Sequence, residues 1–301
     1  MKPFLIRRQV FWVIIFVVVL FIFDRLGGVI LHQILKNSNF RYSLLYRGNQ
    51  PESIIILGSS RGVNTFYTPE IQKKTGHNAI NLSFNALPPV IEEEIIGDYL
   101  MHNQLPKAII LEISNIELPS SYSYVNTLKP YDSFSEALTY FVEKTDRLAN
   151  FKCKLSNLYC FNNILFFRTL YYLFQSDQTW INNGQLSQEQ ILQLQKSTGY
   201  SPGSIIKENF TIIKRIIALA NAENISIRLV LGPIFPNNKR NPDIDEFISV
   251  VERRTGTLVW DYSNSVRDPT AFADGLHLNK KGSVILVDQM IADGLFSFNV
   301  N

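Results

Sequence analysis

A chain of 301 residues, 46% of them hydrophobic, is long enough to bury one sizeable α/β core, alone or with an insertion. Its formal net charge of +3, without a dense basic stretch interleaved with aromatics, argues against nucleic acid as a partner. Two cysteines, Cys153 and Cys160, are too few for a disulfide framework or a metal site; they either pair locally or stand as free thiols in a helical segment.

The chain begins with an unbroken apolar run from Val10 to Phe23, VFWVIIFVVVLFIF. That run alone is shorter than the roughly 20 residues that span a bilayer as a helix, but the stretch from Pro3 to about Leu35 is long enough. Val, Ile and Phe on every face argue against a buried core helix. No small-residue cleavage site follows the run, so residues 1–36 read as an uncleaved transmembrane anchor rather than a removed signal peptide. Lys2, Arg7 and Arg8 precede the run and favour a cytoplasmic N-terminus, with the rest of the chain periplasmic or at the cell surface; Lys36, Arg41 and Arg47 on the far side oppose that signal. Residues 37–52 read as a juxtamembrane linker.

Beyond the linker, Ser53 to Leu57 is the first strand, an apolar run closed by Gly58. Thr68 is the expected N-cap and Pro69 the first residue of a helix ending near Gly76. Asn78 to Leu82 is a second strand, Pro88 or Pro89 opens a helix to about Asn103, and Lys107 to Ile113 is a third strand. Residues 119–200, rich in aromatics, interrupt the alternation and read as an inserted helical subdomain. Ser204 to about Asn221 is a helix, Ser226 to Leu231 a fourth strand, Pro242 to Arg254 a helix, Thr257 to Trp260 a fifth strand and Lys281 to about Asp293 the last helix. Strands this far apart, alternating with helices, predict a parallel sheet with helices on both faces.

Ligands of such sheets bind beyond the carboxyl ends of the strands. Three groups fall there. Gly58-Ser59-Ser60 follows the first strand, Ser114-Asn115 the third, and Asp274-Gly275-Leu276-His277 the fifth. A serine hydroxyl needs a base within hydrogen-bond reach to act as a nucleophile. His277 supplies one, and Asp274, three residues earlier, can hold its imidazole in the right tautomer. Candidate donors for a developing oxyanion are the amide of Ser60, the amide of Ser83 after the second strand, and the side-chain amide of Asn115.

Gly58-Ser59-Ser60, Asn81-Leu82-Ser83-Phe84-Asn85, Ser114-Asn115 and Asp274-Gly275-Leu276-His277-Leu278-Asn279 resemble the four blocks of the SGNH, or GDSL-like, hydrolases. The resemblance runs from about Ser53 to the last helix and omits the insertion. It implies a flavodoxin-like sheet of order 2-1-3-4-5, Ser60 as nucleophile, the pair His277 and Asp274, and oxyanion donors Ser60, Ser83 and Asn115. The anchor and the Gly-Ser-Ser-Arg form of the first block resemble a subgroup that includes proteins of cell-surface polysaccharide O-acetylation and of teichoic acid D-alanylation. Two blocks depart from the pattern: Ser83 stands where glycine is usual, and Ile113-Ser114-Asn115-Ile116 replaces Gly-x-Asn-Asp. The resemblance implies a membrane-anchored serine esterase or O-acyltransferase acting on an extracytoplasmic polysaccharide or lipid-linked glycan. It implies no metal or organic cofactor, and it makes other envelope polysaccharide assembly proteins candidate partners. The alternative is a non-catalytic binding or assembly component of such a system.

Overall fold

In the computed structural model, which describes residues 2–51, 53–117, 128–197, 200–203, 205–236 and 241–298, the run Ile54–Leu57 forms strand β1 with every residue buried. The helices α1 (Lys2–Asn37) and α2 (Arg41–Arg47) precede it. After it come α3 (Ser60–Thr65), α4 (Thr68–Thr75), β2 (Ala79–Asn81), α5 (Pro89–His102) and β3 (Ala108–Glu112). A helical stretch follows with α6 (Glu136–Thr145), α7 (Arg147–Leu155), α8 (Asn157–Phe161) and α9 (Ile164–Tyr171). The chain continues through α10 (Gln188–Lys196), α11 (Lys207–Ala222), β4 (Ser226–Leu231), α12 (Pro242–Thr255), β5 (Val259–Asp261) and α13 (Lys280–Ala292).

These elements fall into two compact units: residues 45–121 with 176–301, and residues 1–44 with 122–175. The expected insertion therefore divides. Its part up to Gln175 groups with the N-terminal residues, while residues 176–200 group with the α/β unit; its expected start, Pro119, lies outside the described residues. The expected linker holds α2.

The α/β unit is a five-stranded parallel sheet of order β2-β1-β3-β4-β5. Ile56 sits beside Asn81 on one side and Ile110 on the other, and Leu111 beside Leu229. Alternate residues Ile54 and Ile56 point to one face, where they join Ile110, Val230 and the α13 residues Leu286, Val287 and Met290 in a common core. Fully burying such a side chain contributes roughly 1.5–3 kcal/mol, and a run buried on both faces is what a central parallel strand requires. The edge strand β2 is guarded by Gln178, whose Oε1 accepts the Asn81 N–H at 2.7 Å and the Thr68 hydroxyl at 3.3 Å.

That last bond moves a boundary. Thr68 is not the N-cap of α4; it is the first helical residue, and Tyr67 caps without a side-chain bond. At the other end Gly76, at φ 72°, closes the helix in the left-handed conformation expected of it. The fifth strand starts two residues later than expected, because the Thr255 hydroxyl accepts the Thr257 N–H at 3.1 Å and holds the chain in a turn. The helix α11 starts at Lys207, and Ser204 lies outside the described residues.

In the helical unit, α1 is long and apolar enough from Arg7 to Asn37 to cross a membrane, a property that anchors and signal sequences share. Asp24 and Arg25 interrupt its apolar surface, and both are bound. The Asp24 carboxylate accepts the Ser156 hydroxyl at 2.5 Å and the N–H groups of Asn157 and Leu158 at 2.8 and 3.1 Å. Arg25 donates to Asn157 Oδ1 at 2.7 Å and to the carbonyls of Leu155 and Lys154 at 2.9 and 3.2 Å. The acid thus meets the N-terminus of α8 and the base the C-terminus of α7, each where the helix dipole favours its sign.

The short helices α6 to α9 start at Ser135, Asp146, Ser156 and Asn163, each of which caps with its side chain. Cys153 and Cys160, whose state the sequence left open, form a disulfide. Among the aromatics, Tyr131, Phe161, Phe166 and Tyr172 are buried while Tyr140, Phe167, Tyr171 and Phe174 are exposed. Tyr131 ties the unit together, its hydroxyl 2.7 Å from Ser43 Oγ and 3.2 Å from Thr169 Oγ1.

Candidate active site

The chain leaves β1 through Gly58. A Cβ at this position would lie 2.7 Å from Glu112 Cβ, so only glycine lets the turn pass so close to the end of β3. Gly62 is constrained in the same way, because a Cβ there would fall 2.5 Å from Ser83 Oγ. Together they seat α3 directly on the carboxyl edge of the sheet. Ser59 is buried at the N-cap and makes no side-chain capping bond; Ser60 is the first helical residue and is half-buried.

His277 lies on a short loop closed on itself. Phe272 and Leu278 form an antiparallel bridge, and the Ala273 N–H donates to the His277 carbonyl at 2.9 Å. Asn279 then caps α13, accepting the Gly282 N–H at 3.1 Å and donating to the Thr270 carbonyl at 2.8 Å. Inside the loop, Asp274 Oδ1 accepts the N–H groups of Leu276 and His277 at 2.8 and 3.0 Å. The same carboxylate receives His277 Nδ1 at 2.9 and 2.8 Å from its two oxygens. On the other side of the ring, Nε2 is 2.7 Å from Ser60 Oγ.

A carboxylate only accepts, so the imidazole proton belongs on Nδ1 and Nε2 is left to take the Ser60 proton. Burial pushes the Asp274 carboxyl up, but the bonds from the His277 ring and the Leu276 and His277 amides outweigh it and hold the carboxyl below its ordinary value. The group stays charged, as orienting an imidazolium requires.

No family model matches the chain, and no curated protein does. Solved structures are similar in outline. One, provisionally described as a platelet activating factor from Streptococcus pneumonia, is 11% identical with a TM-score of 0.44, covering 93% of this chain and 98% of the other. A second, provisionally described as an acylhydrolase from Bacteroides fragilis, is 13% identical with a TM-score of 0.37, covering 82% and 90%. At these identities and TM-scores neither likeness assigns an activity.

The site residues named from the sequence differ in what their polar groups meet. Ser60, His277 and Asp274 are joined in a line. The two other expected oxyanion donors are engaged elsewhere. The Ser83 N–H donates to Asn81 Oδ1 at 3.0 Å. The Asn115 amide donates to the Leu87 carbonyl at 3.0 Å and to Glu92 Oε1 at 2.7 Å, which occupies both of its protons. Glu92 is fully buried; burial, opposed by the Asn115 bond and reinforced by the Glu112 charge, pushes its carboxyl up to about 8.

Sequence reasoning also passed over Arg61 and Glu112. Both are buried, with Arg61 Nε 3.9 Å from Glu112 Oε1. Arg61 Nη2 donates to the Gly232 carbonyl and, at 3.3 Å, to that of Pro233. Glu112 accepts the Ser114 hydroxyl at 2.6 Å and the Gly232 N–H at 3.3 Å. One guanidinium and one carboxylate therefore lock α3 to the ends of β3 and β4. Tyr200 lies with its ring centroid 5.4 Å from the Arg61 guanidinium, and its hydroxyl donates to Glu117. The signal was present as a charged residue directly after the serine pair and a lone acid closing an apolar strand.

Next to His277 along the loop, Gly275 and Leu276 join Leu194, Tyr200, Ile234 and Phe235 around a cavity of about 210 Å³. Its wall is mostly apolar, and it is smaller than the roughly 300–1,000 Å³ typical of sites for drug-sized ligands.

Proposed function

We propose that the chain is a membrane-anchored SGNH-type serine enzyme that transfers an acyl group through an acyl-Ser60 intermediate. The observation that carries this reading is the relay from Ser60 Oγ through His277, at 2.7 Å, to Asp274, at 2.8 Å. His277 takes the hydroxyl proton as Ser60 Oγ attacks the carbonyl carbon of an ester. The tetrahedral intermediate collapses, the bond to the leaving oxygen breaks, and His277 returns the proton to that oxygen. An acceptor hydroxyl is then deprotonated by His277 and attacks the acyl-serine; the bond from the acyl carbon to Ser60 Oγ breaks, and His277 returns the proton to Oγ. Water as acceptor yields a carboxylic acid; a sugar hydroxyl yields a new ester. Asp274 keeps the ring oriented and stabilises the imidazolium. The Ser60 amide, in the first turn of α3 where backbone donors lack helical partners, serves the oxyanion. Ser83 and Asn115 join it only by giving up the bonds to Asn81, Leu87 and Glu92.

The acceptor class, an extracytoplasmic polysaccharide or lipid-linked glycan handled together with other envelope assembly proteins, rests on the likeness of the anchor and the Gly-Ser-Ser-Arg block to the surface-polysaccharide subgroup. Retention of α1 is supported by its bonds to α7 and α8, which cleavage would remove from the fold. The Cys153–Cys160 disulfide supports a compartment outside the reducing cytoplasm. The engagement of Ser83 and Asn115 favours the second reading, a binding component with a residual pocket.

A fluorophosphonate probe separates the two. Labelling of the wild type that is lost in Ser60→Ala and retained in Ser59→Ala is the expected result. No labelling of a folded wild-type chain would overturn the enzyme reading in favour of the binding one.

A further inference from the structure

We infer that α7 and α9 of the helical unit lie in the interfacial layer of a phospholipid bilayer, their outer faces held against acyl chains and anionic headgroups. The inference rests on the reading of α1 as a membrane-crossing helix. Both short helices carry an apolar stripe on the side turned away from their own core. In α7 the stripe is Leu148, Phe151 and Leu155, opposite buried Ala149 and Cys153. In α9 it is Ile164, Phe167 and Tyr171, opposite buried Leu165, Phe166 and Thr169. Each stripe has the spacing i, i+3, i+7, one face of a helix. All six side chains are between 58% and 68% exposed. Large exposed apolar faces mark protein or membrane interaction sites, and a helix lying in the membrane interface buries such a face among headgroups and acyl chains.

The level of these helices along α1 points to lipid as the occupant. The run Val10 to Phe23 reaches only about 21 Å at 1.5 Å per residue, against a hydrocarbon thickness of about 30 Å. Reaching 30 Å carries the boundary to about Ile30. Leu26, Val29 and Ile30 are indeed exposed. On the other side of α1, Gly27 and Gly28 let α8 approach: a Cβ on Gly28 would fall 2.4 Å from Asn157 Cβ, and one on Gly27 3.0 Å from Leu158 Cδ2. The α8 helix, with α7 and α9 beside it in sequence, therefore docks at the boundary itself. The bonds made by Asp24 and Arg25 to the ends of α7 and α8 satisfy the charges that would otherwise stand inside the span.

Charge agrees with an anionic surface. The sequence of α7, α8 and α9 carries Arg147, Lys152, Lys154 and Arg168 and no acidic residue; Lys154 is paired with Glu143 of α6 at 2.7 Å, and Asp146 caps α7. Basic residues flanking an apolar face are attracted to anionic headgroups and add to the apolar term.

The test uses the full chain in phosphatidylcholine vesicles containing phosphatidylglycerol, with dibrominated acyl chains as quencher. One version keeps Trp12 alone, through Trp180→Phe and Trp260→Phe. The others add Trp12→Phe and place a single tryptophan by Phe151→Trp, Phe167→Trp or, as an exposed control in the α/β unit, Lys214→Trp. Far-UV circular dichroism and the urea unfolding midpoint, compared with the wild type, check folding. The expected result is loss of about half the emission at positions 151 and 167, as for a ring held roughly 5–10 Å into the headgroup boundary, with little loss at 214. Omitting phosphatidylglycerol should weaken quenching at 151 and 167 and leave Trp12 unchanged; equal quenching without it removes anionic headgroups from the proposal. If Trp12 is unquenched, the anchor reading itself fails. If Trp12 is quenched while 151 and 167 stay open to aqueous acrylamide, the inference fails and the anchor stands. Shielding of 151 and 167 from both quenchers would assign the face to a second copy or another protein, and overturns the inference as well.

Discussion

Arg61 and Glu112 in the α/β unit, and Asp24 and Arg25 in the helical unit, are charges set among apolar residues, and they are stabilised in different ways. The first two face each other and the backbone at the ends of parallel strands, both buried. The second two pair chiefly with helix ends, while the apolar surface around them is turned outward. A buried pair of the first kind fixes the positions of three segments next to Ser60. A pair of the second kind lets an apolar helix carry charge that is satisfied by the ends of other helices. The same residue types thus tie three buried segments together in one region and satisfy helix ends beside an outward apolar surface in the other.

The comparison can be broken by substitution. The largest effect belongs to Ser60→Ala, which should lower turnover on an activated ester on the order of 10³-fold or more, because nucleophile and base act as a unit; lipid quenching at positions 151 and 167 should not change. Arg61→Ala leaves Glu112 buried without its cation and should cost roughly 3–5 kcal/mol in urea unfolding. Arg61→Lys sharpens the point: if it restores stability fully, charge alone matters and the forked donation to Gly232 and Pro233 does not.

A pH dependence comes next. Glu92 is pushed from 4.5 up to about 8 in the fold. Below the lower value it is protonated folded and unfolded. Between the two, the unfolded chain ionises and the folded one does not, so stability falls as pH rises through this window and levels off above it. Glu92→Gln should flatten that slope, seen as a variant that gains on the wild type with rising pH; parallel curves would place the titration elsewhere. Smallest is Asp24→Ala, which removes a cap from α8 and should cost about 0.5–2 kcal/mol. It should show as faster hydrogen exchange at Asn157 and Leu158, with Ser60 labelling untouched.

Much of the α/β unit is legible in the sequence because its signals are local. SIRLVL gives β4 with both ends correct, since it lies between a turn and Gly232. The register of β5 is not legible: Leu258, apolar and expected in the strand, is 76% exposed, held out by a side-chain turn at Thr255. In the site, the Ser-Ser and Asp-Gly-Leu-His loops are readable because each is a compact group after a strand. What takes up the Asn115 amide is not, because Glu92 lies 23 residues away on a helix whose register the sequence does not disclose. The helical unit was least legible. Its aromatics are periodic in a way that suits a core, and only the fold tells which stripe is inside.

The bonds of Asp24 also set an order in time. Ser156, which donates to it, is made 132 residues later. At about 5–20 residues per second of synthesis, roughly 7–26 s separate the two. For that interval Asp24 and Arg25 have only each other, 3.9 Å apart, and lack the helix-end bonds of the finished fold; a charged side chain drawn to the centre of a bilayer costs about 2.5–3.5 kcal/mol. On the anchored reading, α1 first rests with Asp24 and Arg25 at the headgroups. It settles to its final depth only when the α7–α8 junction emerges and binds them, so a nascent chain arrested before Arg147 holds the helix in a shallower position than the finished protein does.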